Sequence, residues 1–262
     1  MIPVQGGIIK IKKVMSLIVV IMMIASMSVH AFASEIMPDT YFNNYVDDFR
    51  TYISNAQLRR SVADPAELVQ AFLAENGANY DAKILIESTE TETIDLGDGN
   101  SITLDGILIY ANGYNDVAAT PERIQNGAID VSDSTRAVSQ TTSIRAYYHA
   151  VYALVLGQEL YRITQEAQFT YNGTSVSVNY ADGYYQRGFL SIWQVSDFQD
   201  STESTIVVDG VTYKQVKSSA NFHYGLEIDG IGLVIQDNYC WVSARCTKSG
   251  TVVGYMDGNH SI

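Results

Sequence analysis

Apolar positions near the start of the chain follow helical spacing. From Asp39 they fall at Tyr41, Phe42, Tyr45, Val46, Phe49, Tyr52 and Ile53, with Asp39, Asp47, Asp48 and Arg50 off the line. Steps of one, three and four residues place them on one broad stripe of an α-helix. A second helix is better punctuated. Asp64 caps it, Pro65 suits its first position, and Glu67 three residues on completes a capping box. Leu68, Val69, Phe72 and Leu73 form its apolar face. Asn76-Gly77 ends it, with Gly77 as the left-handed residue after the last turn. Both stripes read as core rather than as partner grooves.

From Ala82 the pattern alternates with period two. Ala82–Ser88 is a predicted strand. Glu92–Leu96 and Ser101–Tyr110 flank Gly97-Asp98-Gly99-Asn100, a hairpin signal. Residues 111–142 are rich in Asn, Gly, Asp, Ser and Thr and read as a long surface segment, with a short helix after Pro121. A regional boundary is placed there. No proline follows Pro121. Ile144–Leu156 is apolar in both registers, which predicts a strand buried on both faces, with a buried helix as the alternative.

Gly157 breaks the pattern, and Gln158–Tyr171 leads into Asn172-Gly173. A two-residue loop there pairs Tyr171 with Thr174, Phe169 with Val176, Ala167 with Val178 and Gln165 with Tyr180. Asp209-Gly210 sets Val208 against Val211 and Ile206 against Tyr213. Asp229-Gly230 sets Ile228 against Ile231, Leu226 against Leu233 and Tyr224 against Ile235. Lys248-Ser249-Gly250 marks another turn before Val252–Tyr255. The fold class is therefore α+β: a short N-terminal helical region, then a mainly antiparallel β module, sandwich-like or a partly closed barrel. The expected division is a leader over residues 1–33, a helix-plus-hairpin region over 34–142 and the β module over 143–262.

The first residues add a compartment. Lys10, Lys12 and Lys13 precede an apolar run from Val14 to Ala25, and the stretch closes on Ala31-Phe32-Ala33. That order is the pattern of a secretory signal peptide cleaved after Ala33. The run is shorter than the roughly 20 residues a spanning helix needs, so no membrane span is expected after cleavage. Removing the three leader lysines leaves 13 of the 16 Lys and Arg against 29 Asp and Glu, a formal charge of −16. Such a surface repels phosphate-rich partners, so nucleic acid is not an expected partner.

Recognisable catalytic chemistry is sparse. The chain has no Gly-x-Ser-x-Gly and no His-Glu-x-x-His. Beyond the leader its histidines are His149, His223 and His260. Asp95, Asp98, Asn100 and Asp105 cluster as in a calcium loop, but glycines stand where the EF-hand pattern needs ligands, so the cluster reads as a hairpin turn. No catalytic residue, metal or cofactor is assigned. Cys240 and Cys246 are candidates for a disulfide in an oxidising compartment. Against that, on one extended strand they stand about 20 Å apart, whereas a bridge needs Cα atoms within about 7 Å. Aromatic side chains are the remaining signal. Trp193, Trp241, Tyr184 and Tyr185 sit in or beside predicted strands, where they can stack on sugars or contact a protein.

Gly157-x-x-Leu160, Ala167-x-Phe169-x-Tyr171-Asn172-Gly173-x-x-Val176 and Trp193 resemble a group of small secreted proteins of Gram-positive bacteria. The resemblance spans roughly residues 144–256 and implies secretion and a C-terminal antiparallel β module; it carries no activity. The resulting expectation is a secreted, non-catalytic binding module for an extracellular protein or glycan. The alternatives are a secreted hydrolase with an unrecognised site, or a structural or immunity-type partner of another secreted protein.

Overall fold

The computed structural model describes residues 38–59, 64–85, 87–117, 139–154, 157–188, 193–228 and 231–259. The expected leader and the short helix after Pro121 lie outside them. Helix α1 is Pro38–Arg59, α2 is Pro65–Asn76 and α3 is Ala82–Leu85. Among the described residues eleven strands follow: β1 Thr91–Gly97, β2 Asn100–Asp105, β3 Leu108–Val117, β4 Gln140–Thr141, β5 Ile144–Ala153, β6 Gln158–Tyr171, β7 Val176–Arg187, β8 Trp193–Val208, β9 Val211–Ile228, β10 Ile231–Thr247 and β11 Val252–Asn259.

The strands form two antiparallel sheets. Sheet 1 runs β1-β2-β3-β5-β6-β7, with β4 prolonging the row of β5 along β6. Sheet 2 runs β8-β9-β10-β11. The sheets face each other in a sandwich-like arrangement and form no closed barrel. The helices cover the other face of sheet 1, giving three layers.

The two interlayer cores follow from side-chain alternation. Tyr148, Ala150 and Tyr152 of β5 join Phe42, Phe49, Val69 and Phe72 of the helices. Tyr147, Val151 and Ala153 of the same strand meet Val216, Phe222, Val242 and Ala244 of sheet 2. Strand β5 is thus buried on both faces, which is why its sequence is apolar in both registers. The 142/143 boundary runs through sheet 1, because β3 pairs with β5 from Leu108↔Ala153 to Val117↔Ile144.

Helix α2 begins as read: Asp64 Oδ1 accepts from the N–H groups of Ala66 (2.8 Å) and Glu67 (3.2 Å). Its end differs. Gly77 has φ −54°, a right-handed conformation, and opens a 3₁₀ turn over Gly77–Asn79. Ala82–Ser88 is not a strand; it begins as α3, whose Leu85 is buried in the helical core. Ser101–Tyr110 is two strands, because Gly106 at φ +54° turns the chain between Asp105 and Leu108. The segment read as surface from residue 111 begins as strand, since β3 runs to Val117.

The hairpin registers divide. Val208↔Val211, Ile206↔Tyr213, Ile228↔Ile231 and Leu226↔Leu233 pair as read. Asp209 (φ +50°) and Gly210 (φ +77°) both take the left-handed conformation that their turn needs. Past Val234 a bulge shifts the ladder, so Tyr224 faces Gln236 rather than Ile235. At Asn172-Gly173 the loop is wider than two residues. Asn172 Oδ1 accepts from the N–H groups of Thr174 and Ser175, and Tyr171 pairs with Val176. Phe169 therefore faces Val178, Ala167 faces Ala181 and Gln165 faces Gly183. Only Gly173 of the two loop residues has positive φ (+83°), and its N–H donates to the Lys248 carbonyl across the sandwich at 2.8 Å.

Candidate functional site

A concave feature lies on the helical layer, between α1 and the end of α2. It is an open groove of about 510 Å³, within the range of small-ligand sites. Along α1, Tyr41, Asn44, Asp48, Thr51, Tyr52 and Asn55 line it. Their spacing of about one turn puts them on one face, beside the core stripe. The opposite wall is Phe72 and Asn76 of α2 with Asn79 and Tyr80 from the 3₁₀ turn. The right-handed Gly77 matters here: the chain continues to coil past Asn76 and brings Asn79 and Tyr80 to the groove.

Aromatic packing fixes the rim. The Tyr45 and Tyr80 rings lie 4.8 Å apart, edge to face, and Phe72 and Tyr80 stack at 6.0 Å. Tyr80 Oη donates to Asp48 Oδ2 at 2.9 Å, and the Asp81 N–H donates to Tyr41 Oη at 2.8 Å. Tyr45 is a further lining residue; its hydroxyl is buried and has no hydrogen-bond partner. An unsatisfied buried hydroxyl carries a free-energy cost that a bound polar group would relieve. Burial, then the neighbouring Tyr80, raises the Tyr45 phenol above its ordinary value. Burial, then the Asp48 hydrogen bond, does the same for Tyr80. Both phenols stay neutral at physiological pH. Asp48 is the charged residue of the lining; the rest are phenyl and phenol rings, amides and a threonine hydroxyl.

Of the aromatic residues singled out from sequence, Tyr184, Tyr185 and Trp241 are not brought together. Tyr184 reaches Glu166 on the helix-side face of sheet 1, at a long 3.5 Å. Tyr185 packs edge-on against Phe198 at 5.0 Å, at the margin between the sheets. Trp193 opens β8, its backbone paired with Tyr224. Trp241 lies half-buried on the outer face of sheet 2, where Lys217 Nζ sits 4.8 Å from its ring centre and 5.7 Å from that of Tyr239. That ammonium covers the ring a sugar would need.

Cys240 and Cys246 are buried, unbridged and on the one continuous strand β10, so the disulfide candidate is not realised. Burial raises their thiols to about 12 and about 11. His149 is buried, with Nδ1 2.7 Å from Asn112 Oδ1 and its ring stacked on Tyr110 at 5.9 Å. That is a packed core histidine. Among the described residues no cluster of His, Cys, Asp or Glu is arranged to hold a metal ion. None of the described helices is long and apolar enough to cross a membrane.

The apolar stripe of α1 points to the core and does not reveal the groove beside it. A second signal was present: Asn44, Asp48, Thr51 and Asn55 form a row of short hydrogen-bonding side chains at helical spacing beside Tyr41 and Tyr52. No protein-family model matches the chain, and neither a curated protein nor a solved structure matches it.

Proposed function

We propose that the protein is secreted and that the groove between α1 and α2 takes a neutral extracellular glycan, binding it without catalysis at that site. The observation that carries this reading is the pairing of tyrosine rings with amide side chains around one concavity. Sugar rings present apolar C–H faces that stack on aromatic rings, and hydroxyls that amides and carboxylates satisfy. With Asp48 as the charge in the lining, a phosphorylated or sulfated ligand is repelled. The covered ring of Trp241 favours the groove over the sheet face.

A glycan array followed by titration calorimetry tests the proposal on the secreted protein. Asn44 and Asn55 are exposed, so their alanine variants leave the fold intact. Each should weaken binding by about tenfold, the loss of one hydrogen bond of about 1.4 kcal/mol. The reading fails if no neutral glycan binds, or if both variants bind like the parent.

A further inference from the structure

The outer face of sheet 2, two layers away from the groove, brings together three residues distant in sequence. Ser196 of β8, His223 of β9 and Asp237 of β10 meet across adjacent strands. Ser196 Oγ lies 2.5 Å from His223 Nε2, and His223 Nδ1 lies 3.2 Å from Asp237 Oδ1. An ionised carboxylate only accepts, so Asp237 holds the proton on Nδ1 and leaves Nε2 as the acceptor of the serine hydroxyl. This is the connectivity of a nucleophile, a base and the group that orients the base.

The backbone beside the serine is unusual as well. Asp197 has φ +50°, and the ladder passes from Ser196↔Asn221 to Gln199↔Ser219 across a bulge, leaving Asp197 and Phe198 without partners in the β9 register. Strained backbone of this kind recurs at catalytic positions. One contact opposes the reaction: the Asp197 carboxylate, held by Asn221 Nδ2 at 3.0 Å, also lies 3.2 Å from Ser196 Oγ.

We propose that Ser196 is an activated nucleophile toward small acyl esters, with His223 as its general base and Asp237 as the residue that orients the imidazole. The Ser196 oxygen bonds to the ester carbonyl carbon while its proton passes to His223 Nε2. The carbon–oxygen bond to the alcohol then breaks, and the alkoxide leaves with that proton. Water attacks the acyl-serine by the same route, releasing the acid and restoring the hydroxyl. Ser196 and His223 are half-buried and Asp237 is 58% accessible, so the hydroxyl lies at the surface and the substrate class is an ester that reaches it from solvent. Nothing in this proposal depends on the groove.

A fluorophosphonate probe tests it directly, because it forms a stable bond to an activated serine oxygen with loss of fluoride. Intact mass should show one adduct, and peptide mapping should place it on Ser196. His223→Gln, with an unchanged circular dichroism spectrum, should label about 100-fold more slowly, the usual contribution of a general base. Asp237→Asn should also slow labelling. Absence of an adduct, an adduct on another serine, or parental labelling in His223→Gln would each overturn the proposal. Mapping on the parent protein decides the matter even if Ser196→Ala does not fold.

Discussion

Tyr148 Oη donates to Asp64 Oδ1 at 2.6 Å, joining the middle of β5 to the residue that caps α2. The same carboxylate oxygen accepts the first free N–H groups of the helix, so one atom anchors the helical layer to sheet 1. The Tyr148 ring also lies under the Arg162 guanidinium, 4.7 Å from its centre.

Tyr148→Phe keeps the ring and removes only the hydroxyl. It should cost about 1.5–3 kcal/mol, the range for a hydrogen bond to a charged group. Asp64→Ala should cost more, because the cap is lost as well, about 1 kcal/mol further. Urea unfolding midpoints of the two variants check the order.

Two glycines should fail for different reasons. At Gly173 the positive φ is the obstacle, since an added Cβ meets nothing within 4 Å. Gly173→Val should cost about 1–3 kcal/mol through backbone strain. At Gly254 the backbone is ordinary, but an added Cβ runs into the Tyr147 ring. Gly254→Ala should cost about 1–3 kcal/mol by overpacking, and Tyr147→Leu should relieve part of it. Thermal denaturation of the double variant separates the mechanisms.

Both cysteines should be free thiols that react with a disulfide reagent only after unfolding. Their raised values also set a pH dependence. Unfolded thiols ionise near about 8.5, so between there and about 11 the folded state holds protons that the unfolded state has lost. Stability therefore falls as pH rises through this window. Replacing Cys240 and Cys246 with Ala should flatten the decline between about pH 8.5 and 10, read as unfolding free energy against pH. An intact mass showing a bridged pair would contradict the geometry.

Trp241→Ala should leave glycan affinity within about twofold, because Lys217 covers the ring. Tyr52→Ala should lower it about tenfold or more through lost stacking in the groove. Calorimetry on both variants, against the glycan that scores highest on the array, checks the contrast.

Local signals carried most of the fold. The spacing of Phe42, Tyr45, Phe49 and Ile53, the Asp64-Pro65 start and the Asp209-Gly210 turn each bring one physical rule that tertiary context did not override. The misreadings arose where a distant partner decided. Leu85 is drawn into the helical core, so its segment coils instead of extending. Gly173 bonds Lys248 from the facing sheet. No local pattern encodes either. The Asn172 bonds to the N–H groups of Thr174 and Ser175 are local, an Asx turn that a two-residue loop does not allow for. Ser196, His223 and Asp237 are a sharper case: two registers and three register shifts must be known before they meet. The groove was nearer to legible, because its long wall is one helix.

The double burial of β5 has a consequence for how the molecule comes apart. A strand clamped between helices and a second sheet, and bonded to β3 and β6 along its edges, has no side from which it opens alone. Its amides should exchange with solvent only when the whole molecule unfolds. The helical layer and the sandwich are then one cooperative unit, and limited proteolysis should not release a stable fragment ending near residue 142.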